Sequence, residues 1–140
     1  MKVITVILFA ISFAGCTFKG SVTEPSGCAP ARERVREFFS IHIDSLARGN
    51  KKLSDKEKDF LSPELANEAG DYTGTGDFFT KSKIVPNTFR IGSCTKTKNG
   101  FDLQVLLFWK TDTTKDQRNF KAGTQMADGN WKIFSYNPES

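Results

Sequence analysis

The sequence holds one histidine, His42, so proton transfer near neutral pH would have to start from it. A general base also needs a partner that orients it and tunes its pKa. Asp44 stands two residues on and points to another face of the same predicted helix. Asp59 falls in a short second helix, and Asp102 falls on the strand face opposite the apolar one. Tyr72 sits in a loop and Tyr136 at the end of the last strand, and no carboxylate occupies an inward strand position. The expectation is therefore that His42 packs against the sheet or hydrogen-bonds a neighbour, and moves no proton. On that reading His42→Gln costs about 1 kcal/mol.

Metal and nucleotide chemistry find no pattern. Neither Cys28 nor Cys94 has a second Cys or His at ligand spacing, so neither a metal nor a cofactor is expected. The stretch "GDYTGTG" lacks the ending of a phosphate-binding loop. Cys28 and Cys94 are instead candidates for a disulfide, provided the compartment is oxidising.

The elements that position these residues come in two blocks. Pro30 suits the first turn of a helix. In "ARERVREFFSIHIDSLARGN", Val35, Phe38, Phe39, His42 and Leu46 form one stripe, ended by Gly49-Asn50. Ser54 and Glu57 stand in capping-box relation, and Ser62-Pro63 opens a third helix that stops at Gly70. The period then changes to 2. Phe89, Ile91, Ser93 and Thr95 form one alternating set; Phe101, Leu103, Val105, Leu107 and Trp109 form another. Phe120, Ala122, Thr124 and Met126 follow, then Trp131, Ile133 and Ser135. A two-residue turn at Asp128-Gly129 pairs Met126 with Trp131 and Thr124 with Ile133. A three-residue loop, Lys98-Asn99-Gly100, pairs Thr95 with Leu103 and Ile91 with Leu107. The fold class is α+β: N-terminal helices on a curved antiparallel sheet.

The N-terminus reads as an address. One Lys, an apolar run and then small residues is the order of a secretory signal, and the run is short of the length that spans a bilayer. Phe13-Ala14-Gly15-Cys16 resembles the bacterial lipobox, which implies a lipidated Cys16, and Thr17 after it points to the outer membrane. The expected organisation is a signal peptide over 1–15, a lipid-anchored tether over 16–29 and one domain over 30–140. The chain carries +4, and +3 once Lys2 is removed with the signal. The lysines are scattered at wet strand positions, so no nucleic acid is expected as a partner.

The phrases "VREFFSIHIDSLARGN", "FLSPEL", "FRIGSCTKTKNGFDLQVLLFWK" and "DGNWKIFSYNP" together resemble the nuclear-transport-factor-2-like superfamily, over about residues 31–138. Within it the chain is similar to small exported bacterial lipoproteins. The resemblance implies a cone with a pocket between helices and sheet. His42, Phe89, Ile91, Ser93, Thr95, Leu107, Trp109 and Thr124 are the residues expected to line it. Three functions stay open: a membrane-anchored periplasmic module binding a small apolar ligand, a lyase- or isomerase-like enzyme using His42, and a lipoprotein that docks a protein partner or a second copy of itself. Leu106 and Phe108, on the second sheet face, would serve the last.

Overall fold

The computed structural model describes residues 24–140. Helix α1 (Cys28–Ala47) leads, followed by α2 (Asp55–Lys58) and α3 (Pro63–Gly70). Four strands follow, β1 (Thr88–Lys96), β2 (Gly100–Lys110), β3 (Lys115–Ala127) and β4 (Asn130–Pro138). They form one antiparallel open sheet in the order β1-β2-β3-β4, with the helices packed on it. The expected α+β class is the observed one. Among the described residues no helix is long and apolar enough to cross a membrane.

The helix begins earlier than the sequence reading placed it. Cys28, not Pro30, is the first helical residue, and Cys28 and Ala31 are buried. The last residues assigned to the tether therefore belong to the folded unit. The stripe Val35, Phe38, Phe39 and His42 is buried as expected, and Gly49 ends the helix at positive φ. Both caps are present as read: the reciprocal Ser54–Glu57 box on α2, and the Ser62 hydroxyl accepting from the Leu65 N–H on α3.

In the β3–β4 hairpin Met126 pairs with Trp131 and Thr124 with Ile133, across Asp128 and Gly129, both at positive φ. The β1–β2 hairpin corrects the expected register. Thr95 pairs with Asp102 and Cys94 with Leu103, across a two-residue connection, Lys98-Asn99. The missing residue reappears as a bulge: Ile91 pairs with Val105, so Gly92 and Ser93 together face Gln104. The Arg32 guanidinium donates to the Ile91 and Gly92 carbonyls at 2.9 and 2.6 Å, fixing the bulge to α1. Beyond the bulge the strand's faces exchange. Ser93 and Thr95 are exposed, and Cys94 turns towards α1. A second bulge in β4 does the same: Gly123 pairs with Ser135, and Tyr136, not Ser135, goes into the core. The outer edge of β4 is covered by residues 60–62, where Ser62 N–H donates to Ile133 C=O and Ile133 N–H to Phe60 C=O, both at 2.8 Å.

The Cys28 and Cys94 sulfurs lie at disulfide distance, with Cα atoms 6.6 Å apart and 66 residues between them in sequence. The bond would join the first turn of α1 to the sheet just past the bulge. For a loop of this size the chain-entropy account gives about 4 kcal/mol. Urea unfolding with and without reductant should show a loss of that order. Labelling of Cys28 and Cys94 by a thiol reagent in the unreduced native protein would show that the bond is absent.

Candidate functional site

His42 does have carboxylate partners, and they come from neither its own helix nor a strand. Its Nδ1 lies 2.7 Å from Glu57 Oε1, and its Nε2 lies 3.0 Å from Asp77 Oδ1. Glu57 is the buried residue of the α2 capping box, 1 % exposed. Its other oxygen, Oε2, accepts from the backbone N–H and the hydroxyl of Ser54, both at 2.7 Å. Asp77 ends the glycine-rich loop. Its Oδ2 accepts from the backbone N–H groups of Phe79 and Thr80, both at 2.9 Å. Gly76 before it takes positive φ where a Cβ would collide with the Ser82 backbone, so the loop closes tightly on itself. Each carboxylate therefore uses one oxygen to set local backbone and the other to hold His42.

The ring is 3 % exposed, stacked on Phe38 at 5.4 Å between centroids and edge-on to Phe79 at 5.1 Å. Burial works against a charged imidazole, but the hydrogen bonds and charges of Asp77 and Glu57 outweigh it and raise its pKa from 6.5 to about 9. Burial alone would raise Glu57 as well; the bonds from His42 and Ser54 bring it down instead, to about 2. Burial opposes ionisation of Asp77 too, and the bond and charge of His42 outweigh it, so that pKa is lowered. The site at neutral pH is an imidazolium donating both N–H groups to two ionised carboxylates. Neither ring nitrogen keeps a lone pair for a substrate.

No known protein family, curated protein or solved structure matches this chain.

Most of the residues expected to line an interior pocket belong to the core or pack against it. Leu107, Trp109 and Thr124 are buried, and Phe89 and Ile91 pack against the same core. Thr124 Oγ1 donates to the Phe101 carbonyl at 2.9 Å, and Trp109 Nε1 donates to Ile84 C=O at 2.8 Å, so both polar groups are used internally. Ser93 and Thr95 lie outside that space altogether. The Tyr136 hydroxyl is buried with no hydrogen-bond partner among the described residues, and burial, with the charge of Asp77, pushes its pKa up. Leu106 and Phe108 are half-buried on the outer face, and Leu106 lies across Gly92 as the exposed Phe134 lies across Gly123. Cys16 lies outside the described residues.

Two clefts meet at Asp77. The larger, about 630 Å³, lies between the C-terminal end of α1 and residues 76–85, and Leu46, Ile84, Val85, Lys51 and Lys83 are among the residues that line it. The smaller, about 300 Å³, runs between α3 and the same loop, past Ala66, Ala69, Tyr72 and Phe78. Glu24 brings a carboxylate within 4.8 Å of the Cys28 and Cys94 sulfurs. Those sulfurs lie at disulfide distance from each other and Glu24 pairs with Arg32, so the group as it stands is not a free ligand set.

Sequence reasoning missed Glu57 and Asp77. The capping box gave a signal for Glu57, since its second oxygen had to point somewhere. For Asp77 the sequence gives none.

The charges predict a stability profile. The His42 contribution is whole below pH 6.5 and is lost as pH rises towards 9. The Glu57 contribution is whole above pH 4.5 and is lost as pH falls towards 2, and Asp77 adds to it with the same sign. Stability should fall by about 3 kcal/mol between about pH 6 and about pH 9.5. His42→Gln leaves the buried Glu57 and the half-buried Asp77 carboxylates without their cation. The structure therefore raises its cost from the value read off the sequence to about 3–5 kcal/mol. The variant should also lose the alkaline decline. Denaturant unfolding across pH checks both, and a flat wild-type profile would refute the imidazolium.

Proposed function

We propose that the protein is a lipid-anchored periplasmic binding module, not an enzyme, and that it receives a small anionic amphiphile in the cleft between α1 and residues 76–85. The cleft carries the reading. Its volume of about 630 Å³ is that of a small-molecule site, and its lining brings two lysines, Lys51 and Lys83, together with three aliphatic side chains, Leu46, Ile84 and Val85. Ile84, one of its lining residues, is an apolar side chain left 66 % exposed by the described residues. The lysines would take a carboxylate or phosphate, and the aliphatic side chains a medium-length acyl chain. Engagement of both His42 nitrogens argues against the lyase- or isomerase-like alternative. The order of helices before an antiparallel sheet supports the nuclear-transport-factor-2-like resemblance. The partner-docking alternative is favoured by one observation, the exposed Phe134 on β4.

Export and anchoring rest on the apolar run that ends at Cys16, and the closeness of Cys28 to Cys94 fits an oxidising compartment. Two measurements test the proposal. Titration of the processed protein with a medium-chain fatty acid should give saturable binding, weakened about tenfold by Lys51→Ala combined with Lys83→Ala. Equal binding by the double variant sinks the cleft assignment. Separately, Cys16→Ala should abolish palmitate labelling and membrane association. If that variant still partitions into detergent, the anchor reading is wrong.

A further inference from the structure

A cation already sits in an aromatic corner of this protein. Tyr72 and Phe78 meet edge to face, their centroids 5.4 Å apart at 78°. The Lys81 ammonium lies over both rings, 4.1 Å from the Tyr72 centroid and 3.9 Å from that of Phe78. Two faces at nearly a right angle around one ammonium is the geometry by which aromatic cages hold quaternary ammonium groups. The carboxylates of Asp77 and Glu68 add negative charge near the same point. The corner is built and not incidental. The Tyr72 hydroxyl lies over Gly74, where a Cβ would collide with it, and Phe78 is buried against Phe79. The smaller cleft, about 300 Å³, includes Tyr72, Asp77 and Phe78 in its wall and so gives access from outside, past Lys51, Lys52 and Lys58 in the same wall.

Lys81 is poorly suited to stay there. A primary ammonium is strongly hydrated and loses that hydration over the rings, whereas a quaternary ammonium is weakly hydrated and cannot deprotonate. Burial lowers the Lys81 pKa despite the nearby carboxylates. Its backbone is held independently of its side chain. The N–H donates to Asp77 C=O at 2.8 Å, and the C=O accepts from Arg118 at 2.7 Å. The four-carbon stem can therefore swing out while the loop keeps its place, in the φ of +51° that Lys81 already adopts.

We propose that the Tyr72–Phe78 corner is a binding site for a quaternary ammonium group, with the Lys81 side chain as its displaceable internal occupant. The assignment is independent of the anionic cleft and stands if that reading fails. The test is calorimetric titration of the full chain with choline and with its uncharged carbon analogue. Choline should bind saturably below about 10 mM and the analogue should not, since the attraction is to charge. Lys81→Ala, which empties the corner, should tighten choline binding about fivefold. Tyr72→Leu keeps apolar bulk but loses one ring face, and should weaken binding about fivefold while its melting temperature shows that the fold survives. Phosphatidylcholine vesicles distinguish a lipid headgroup from a free solute as the source. Binding to vesicles that choline displaces supports the headgroup, and binding of choline alone supports the solute. No choline or vesicle binding by the wild type, binding seen only in Lys81→Ala, equal binding of the uncharged analogue, or no effect of Tyr72→Leu overturns the proposal.

Discussion

One imidazolium shared between two carboxylates fixes the helical layer of this protein. Helix α2 is four residues long, far below the length at which a helix holds itself, and residues 71–87 have no regular structure. Both are tied to α1 through His42, which meets Glu57 with one nitrogen and Asp77 with the other. The tie is specific because each carboxylate is already committed on its other oxygen, Glu57 to Ser54 and Asp77 to the amides of Phe79 and Thr80. Neither can rotate towards a different partner without breaking a local turn. Buried ion networks add little net stability over an apolar core, but they penalise every arrangement that leaves a member unpaired. The network therefore selects one docking of α2 and the loop.

Aromatic packing completes that selection and moves any ligand to the periphery. Phe38, Phe39, Phe79, Phe120 and Tyr136 occupy the space between α1 and the sheet in a chain of ring contacts 4.8 to 6.3 Å apart. A sequence with 13 Phe in 140 residues can afford a filled interior. The clefts lie instead where the loop, rich in polar and small residues, meets helix ends and cannot fill the gaps.

How much of this was legible in the sequence depends on whether a residue obeys a period. The helix stripe, the two helix caps and the Asp128-Gly129 turn follow local rules and stand where those rules put them. Cys94 and Tyr136 do not. Each lies just beyond a bulge, and one extra residue in a strand reverses inside and outside for everything after it. Assuming unbroken alternation along β1 put the extra residue into the turn, as Lys98-Asn99-Gly100, when it lies in the strand itself, at Gly92-Ser93. Glu57 and Asp77 were hidden for a different reason. They stand 15 and 35 residues from His42, in different elements, and no periodicity links them. Only the docking of those elements brings the charges together.

The charges have a consequence for the surface around them. Two carboxylates and one imidazolium leave a surplus of one negative charge beneath the point where both clefts meet. Lys51, Lys81 and Lys83 surround that point, and Lys81 feels Asp77 directly. The lysines therefore divide by distance and shielding. Lys81, partly buried over two rings, serves as counter-charge to the network. Lys51 and Lys83 are exposed, where water screens them from Asp77. A cation entering the aromatic corner replaces Lys81 as counter-charge and leaves the balance unchanged. An anion in the larger cleft meets the lysines that the network leaves unspent. Lys51 lines both clefts, so the two differ less in charge than in what stands beside it: the rings of Tyr72 and Phe78 in the smaller, the aliphatic Leu46, Ile84 and Val85 in the larger.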